Sequence, residues 1–195
     1  MSEKLIIERF TFPEIEEVNT FIIASLPLGE GMIIDAGGFD EKMFEFIAMN
    51  NLVIKYLLIT HSHDDHISAY DTVLESYEDI ITYAGEKIEG ADVKIPDEGE
   101  NIYLGNMMGT IHKVPGHTND GMVFFINGNL FTGDNLFAGS VGDITSHQNY
   151  KLLLRNLHKV LGDYRNSTVI HPAHGPSSTI ELERMFNPFL NEFNL

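Results

Sequence analysis

The segment Thr60-His61-Ser62-His63-Asp64-Asp65-His66 brings three histidines and two aspartates into six consecutive residues. These are metal-binding side chains: a neutral imidazole offers one nitrogen lone pair, and a carboxylate offers two oxygens. His61 and His63 are two apart, so an extended turn points both the same way. Asp65 and His66 follow at the start of a helix and face a slightly different point. Two metals side by side account for one segment carrying four ligands. Isolated histidines are usually surface or hydrogen-bonded core groups, but crowded His and Asp side chains are otherwise electrostatically poor company. Three further segments offer single ligands: Pro115-Gly116-His117-Thr118, Phe131-Thr132-Gly133-Asp134 and His171-Pro172-Ala173-His174-Gly175-Pro176. Each is weak alone, yet all share one context of strand, small residue or turn, then ligand. Asp134 is the candidate bridge between two metals, because its two oxygens can face different ions.

Stepping from ligands to the elements that must hold them, Tyr56-Leu57-Leu58-Ile59 is a continuous apolar run ending at Thr60, read as a buried strand. Strand ends are rigid mounts for a site. Upstream, Leu5-Ile6-Ile7, Thr20–Ala24 and Gly31–Asp35 read as strands, with a turn at Gly29-Glu30-Gly31. Asp40 caps a helix through about Met49, with Met43, Phe44 and Ile47 on one side. Residues 65–75 read as helix and Ile80–Tyr83 as strand. The second half is strand-rich near 101–104, 110–114, 122–126 and 129–132, with Asn127-Gly128 as a hairpin signal. Leu153, Leu157, Val160 and Leu161 mark an amphipathic helix with Gly162 placed to end it. Val169-Ile170 is a short strand, and Ser178 with Glu181 fits a capping box opening the last helix. Two mixed sheets packed face to face with helices on the outer faces, an α+β arrangement in one domain over residues 1–195, satisfy this pattern.

Composition narrows the chemistry. The chain has no cysteine, so neither a disulfide nor a thiolate ligand or nucleophile is available, and a transition-metal site must use His, Asp and Glu. The formal net charge of −17 argues against a nucleic-acid partner, whose affinity rests on Lys and Arg. No basic residue lies between Lys55 and Lys87 or between Lys113 and Lys151, and these gaps contain most of the candidate ligands. A bound metal would be the main positive charge there. There is no signal-peptide pattern at Met1-Ser2-Glu3-Lys4 and no apolar run of membrane-spanning length, so a cytoplasmic protein without a membrane partner is expected.

The HxHxDH element, followed by PGHT, TGD and HG segments, resembles the metallo-β-lactamase fold superfamily. The stretches 130–139 and 171–190, the latter ending in Asn187-Pro188-Phe189-Leu190, are similar to the short members of its glyoxalase II-like branch. The resemblance runs from about residue 20 to the C-terminus. It implies an αβ/βα sandwich with the site at one edge between the sheets. It implies that His61, His63 and His117 hold one metal, that Asp65, His66 and His174 hold the other, and that Asp134 bridges them. His63 stands where the oxygen-reducing diiron relatives would carry Glu, and the lack of Cys separates the chain from typical β-lactamases. Two departures stand out. Asp143-Ile144-Thr145 follows Gly139-Ser140-Val141-Gly142 where the family usually continues Arg-Thr-Asp, and the extra helical domain that helps full-length glyoxalase II hold glutathione is absent.

The expected function is hydrolysis of a small thioester or ester by a metal-bridged hydroxide, with two divalent ions, zinc first and iron or manganese as alternatives. Asp65 is the expected catalytic residue, accepting a hydrogen bond from the nucleophile. A thiolate leaving group needs little acid assistance, which suits a site without an obvious general acid. A lactonase and a single-iron persulfide dioxygenase are the competing readings; the acidity argues against a nuclease. Outside the ligand set, His112 reads as a half-buried strand residue and His147 and His158 as solvent-side. His171 is either a partner of His174 or a surface residue. Lys151, Arg155 and Lys159 form a solvated stripe, and Phe137 packs in the core or walls a pocket.

Overall fold

Strict alternation within strands sets the layers. Strand β1 (Lys4–Phe12) pairs antiparallel with β2 (Val18–Leu26) over nine residue pairs, from Lys4↔Leu26 to Phe12↔Val18. On β2, Phe21 and Ile23 face one way and Ile22 and Ala24 the other, and all four are buried. A strand buried on both faces lies between two layers. The computed structural model describes residues 2–77 and 79–191; Met1, position 78 and residues 192–195, which the sequence reading counted in the domain, lie outside them.

The chain continues through β3 (Glu30–Ile34), α1 (Glu41–Met49), β4 (Val53–Leu58), α2 (Asp64–Ile67), α3 (Tyr70–Ser76) and β5 (Ile81–Tyr83). The first sheet has the order β1-β2-β3-β4-β5, parallel at β3/β4 and β4/β5. Then come β6 (Asn101–Leu104), β7 (Met107–Lys113), β8 (Met122–Ile126), β9 (Asn129–Gly133), α4 (His147–Gly162), β10 (Val169–Pro172), β11 (Ser178–Thr179), α5 (Ile180–Phe186) and α6 (Pro188–Asn191). The second sheet runs β11-β10-β9-β8-β7-β6, parallel only at β9/β10.

Between the sheets, Phe21, Ile23, Met32, Ile34 and Leu58 of the first meet Ile102, Ile111, Met122, Phe124 and Phe131 of the second. The first sheet's outer face packs Ile22, Ile33, Leu57 and Ile59 on Met43 and Ile47 of α1 and Val73 of α3. The second sheet's outer face packs Val123, Leu130 and Ile170 on Leu153, Leu154, Leu157, Val160 and Leu161 of α4. Burying each such Ile, Leu or Phe side chain contributes about 1.5–3 kcal/mol. The result is the four-layer αβ/βα sandwich that the resemblance implied.

Several local details differ from expectation. The helix over 65–75 is two helices, because Ala69 N–H donates to Ala36 O (2.7 Å) instead of continuing the ladder. Glu30 and Gly31 are already in β3, and the turn falls two residues earlier, at 27–29, with Gly29 at φ +74°. Gly162 is the last residue of α4 rather than a left-handed stop; the C-cap is Asp163 in a right-handed helical conformation. Helix α5, followed by the short α6, is capped by Thr179, whose hydroxyl accepts from Leu182 N, not by a Ser178–Glu181 box. Ser178 is still extended there, paired with Ile170, and its hydroxyl is bonded to Glu183. Asp40 caps α1 and Asn127-Gly128 turns a hairpin with both φ positive, as the residue types dictate.

Candidate metal centre

The seven residues singled out in the sequence meet at one edge of the sandwich. The chain leaves β4 at Leu58, passes buried Ile59 and Thr60, and presents His61 and His63 before α2 begins. His63 is the N-terminal flanking residue of α2 in an extended conformation (φ −68°, ψ 149°), and Asp65 and His66 lie in its only turn. From the second sheet come His117 in the β7–β8 connection, Asp134 directly after β9 and His174 directly after β10. Ligand-type atoms of His61, His63, His117 and Asp134 lie within 4.8 Å of one another, and those of Asp65, His66 and His174 form a second such group.

Asp134 stands between the groups. Its Oδ1 is 3.3 Å from His66 Nε2 and 3.6 Å from His174 Nε2, while its Oδ2 is 3.8 Å from His117 Nε2. Asp65 Oδ2 is 3.1 Å from His174 Nε2 and 3.5 Å from His66 Nε2. His63 Nδ1 and His117 Nε2 approach to 3.3 Å. Gly133 fits this crowding: its φ is +52°, and a Cβ there would stand 2.7 Å from Thr60 Cβ.

The far side of each ring is held by a fixed acceptor. His66 Nδ1 donates to Asp35 Oδ2 (2.9 Å), His117 Nδ1 to Asp143 O (2.7 Å) and His174 Nδ1 to Glu16 O (3.0 Å). In all three a proton therefore sits on Nδ1, which leaves Nε2 as the nitrogen that a metal in the shared space can take. His61 Nε2, His66 Nε2 and Asp134 Oδ1 are buried without any hydrogen-bond partner, even though His66 Nε2 and Asp134 Oδ1 are close. Buried polar atoms are nearly always paired. Three orphans converging on one space are the arrangement a cation satisfies, and the donor set of imidazoles and carboxylates suits a divalent transition metal.

The electrostatics point the same way. Burial, reinforced by the positive potential of His66, pushes the His61 imidazole down to about 2, so it is neutral and free to ligate. For His66 burial also works against charge, but the carboxylates of Asp35 and Asp134 prevail and raise it to about 10. Burial opposes ionisation of Asp134 as well, yet His66 holds it down at about 2. The carboxylates thus draw positive charge into the centre, a demand that a metal meets by displacing the proton.

Several contributors escaped the sequence reading. Asp35, left-handed at φ 57° after β3, accepts from Thr60 N (2.7 Å) and Thr60 Oγ1 (2.9 Å) as well as from His66. Its signal was present, since it is another carboxylate at a strand end. Glu16 and Glu17, both with positive φ, make the tight turn that carries Glu16 O to His174. Phe137, half-buried, stands edge-on to His174 at 6.0 Å. His171 is neither a partner of His174 nor a free surface group. It stacks on Phe131 (4.9 Å) and bonds Asn129 Oδ1 and Ser177 Oγ, because β10 turns its side chain away from the centre. His112 is buried on β7, bonded to Tyr164 (2.6 Å), and Lys151, Arg155 and Lys159 are exposed along α4.

Comparison with known proteins agrees with this architecture. Residues 15–90 match the metallo-beta-lactamase superfamily. The hydroxyacylglutathione hydrolase GloC of Haemophilus influenzae is 31% identical over 184 residues, covering 82% of this chain and 86% of its own. Among solved structures, BLEG-1 B3 metallo-beta-lactamase superposes with a TM-score of 0.80 at 26% identity, over 95% of this chain and 99% of that one. TTHA1623 in a di-iron-bound form gives 0.76 at 26% identity, over 94% and 100%. A match to the superfamily through the HxHxDH region, a relative aligned over most of both chains and a shared four-layer fold lead to one assignment: this chain belongs to the metallo-β-lactamase superfamily.

Proposed function

We propose that the chain is a binuclear metal-dependent hydrolase of small thioesters or esters, acting as one domain in a cytoplasmic setting. His61, His63 and His117 would hold one divalent ion, Asp65, His66 and His174 the other, and Asp134 would be shared. The observation that carries the reading is the convergence of three orphaned buried atoms, His61 Nε2, His66 Nε2 and Asp134 Oδ1, on one space. Zinc is the metal favoured by these donors, with iron and manganese also compatible; the di-iron form of TTHA1623 keeps iron in view. The likeness to GloC supports a hydroxyacyl thioester as the substrate class. Among the described residues no helix is long and apolar enough to cross a membrane.

Bound divalent cations would supply Lewis acidity, making water acidic enough to attack at neutral pH and polarising the acyl oxygen. The chain's own residues then have defined tasks. Asp65, whose Oδ2 reaches His174 Nε2, is placed to accept a proton from the attacking water and orient it. The neutral His61 ring keeps its lone pair available across the working pH range. Asp35, Asp143 O and Glu16 O fix the tautomers of three rings. A thiolate leaves as a stable anion with little acid assistance, so a thioester suits this donor set best.

The test is metal analysis of protein purified aerobically and anaerobically, together with hydrolysis of lactoylglutathione, a neutral lactone and a β-lactam. The β-lactam is included because of the likeness to BLEG-1. Two ions per chain, thioester hydrolysis and its loss in Asp134→Ala are expected. Full activity in Asp134→Ala refutes the shared-carboxylate mechanism, and one iron per chain with oxygen uptake on glutathione persulfide replaces it with an oxidoreductase.

A further inference from the structure

The candidate centre straddles the interface between the two sheets. His61, His63, Asp65 and His66 follow β4 of the first sheet, whereas His117, Asp134 and His174 follow β7, β9 and β10 of the second. Each ligand group therefore draws on both sheets. What joins the sheets through the middle is apolar packing, and apolar burial is non-directional. It holds two layers together without setting their offset to the few tenths of an ångström that a ligand set requires.

Directional bonds cross the interface at the site edge, and two side chains outside the ligand set supply three of them. Asp120, three residues after His117 and 5% exposed, accepts from Ser62 N–H through Oδ2 at 2.8 Å. Ser62 lies between His61 and His63, so this bond ties the loop of the third histidine to the backbone between the first two. The backbone bond from Met122 N to Thr60 O (2.8 Å) runs beside it. Asn19, on β2 and 2% exposed, grips the turn that carries His174. Its Nδ2 donates to Pro172 O (3.1 Å) and Gly175 O (3.0 Å), and its N–H donates to Ala173 O (2.7 Å). Its amide is oriented in turn by Thr11, whose hydroxyl donates to Asn19 Oδ1 at 2.7 Å.

We infer that Asp120 and Asn19 are positioning residues, each registering one half of the metal centre across the two sheets: Asp120 the His61–His63–His117 group, Asn19 the Asp65–His66–His174 group. The inference rests on the metal-centre reading above. Neither side chain touches the central space, so each acts through the loops it holds. Outer partners of metal ligands typically account for about 10–100-fold in metal affinity. Each effect here falls on one ion and spares the other.

The experiment is cobalt(II) titration of the metal-free full-length chain, following ligand-field absorption and bound cobalt per chain, with circular dichroism as the check on folding. Wild type is expected to bind two equivalents. Asp120→Ala weakens one step about 10–100-fold, and Asp120→Asn, which keeps an oxygen for Ser62 N–H, restores it to within a few-fold. Asn19→Leu weakens the other step by a similar factor. Thr11→Val, which removes only the orienting hydroxyl, gives a smaller loss at that same step and serves if Asn19→Leu does not fold. Loss of both ions together in folded variants, unchanged binding in Asp120→Ala, or no rescue by Asp120→Asn overturns the inference. A wild-type chain that takes up no cobalt overturns the metal-centre reading itself.

Discussion

Replacing Asp35 by asparagine tests whether a residue outside the candidate ligand set controls the centre. The Asp35 carboxylate accepts three bonds, from Thr60 N–H, the Thr60 hydroxyl and His66 Nδ1. Asparagine retains one oxygen, and the Thr60 N–H at 2.7 Å claims it. The new NH2 then faces His66 Nδ1. An imidazole that must accept at Nδ1 moves its proton to Nε2, the atom aimed at the shared space. A metal at the Asp65–His66–His174 group would have to reverse that tautomer and bind without the carboxylate's support. The expected loss is about 10–100-fold in affinity for that ion, or about 1.4–2.8 kcal/mol, with the other ion held as before. Competition against a graded chelator, read as metal per chain, measures it.

The same substitution has a signature in the metal-free protein. His66 is raised from 6.5 to about 10, chiefly by Asp35 against the opposing effect of burial. A raised folded pKa contributes stability fully present below pH 6.5 and lost as pH climbs through about 10. The urea midpoint of the metal-free wild type should therefore fall across that window, and Asp35→Asn should flatten the fall. Equal affinity for both ions in wild type and variant, with parallel stability profiles, would refute the tautomer argument.

Three further outcomes are expected. His171, pushed down to about 4 mainly by burial, leaves stability intact above pH 6.5 and erodes it as pH falls toward 4, by at most about 3 kcal/mol; His171→Gln should lose that slope in urea titrations, and an unchanged slope rules it out. Gly142→Ala sets a Cβ against the Asp134 backbone O and 2.8 Å from His117 Nδ1, so it should displace both ligands and lower the proposed thioesterase activity about tenfold or more, whereas wild-type kinetics would show that the two connections can yield. Asp143 is exposed in a cavity of about 360 Å³ lined also by Ile144, His147, Tyr150 and Phe189. Reversing its charge in Asp143→Lys should raise kcat/KM for lactoylglutathione relative to the N-acetylcysteamine thioester about threefold to tenfold at low salt, with the gain fading at high salt; a salt-independent ratio would count against it.

Which parts of the centre were legible in the sequence follows from how far apart its residues lie. His61, His63, Asp65 and His66 share one loop and one helical turn, so their spacing alone brings them into two groups facing a common space. His117, Asp134 and His174 come from three other connections and were recognisable by their shared strand-end context and by family resemblance. Asp120 and Asn19 carried no such mark, because their partners are backbone atoms 58 and more than 150 residues away. Ser178 and Thr179 illustrate the same limit on a smaller scale. Both are good capping residues, and only the pairing of Ser178 with Ile170, set by the sheet, decides which of them caps.

Strand direction supplies what periodicity cannot. β3 runs parallel to β4 and β9 parallel to β10, while β7 is antiparallel to β8 and β8 to β9, so β7, β9 and β10 all point the same way. The C-terminal ends of these strands emerge at one edge, and they release Asp35, the 60–66 loop, His117, Asp134 and His174 in turn. Because β2 is antiparallel to β3, its N-terminal end returns to that edge and delivers Glu16 and Asn19. Parallel neighbours need crossover connections. Here those crossovers run through α1 between β3 and β4, α2 and α3 between β4 and β5, and α4 between β9 and β10, with α1, α3 and α4 packed on the outer faces. At the site edge these crossovers begin, and their first residues, before the helices reach the outer faces, carry Asp35, the 60–66 loop and Asp134, while the shorter connections after β7 and β10 carry His117 and His174. Sheet topology, more than any single motif, is therefore what turns four separated segments of this chain into one cation-seeking centre.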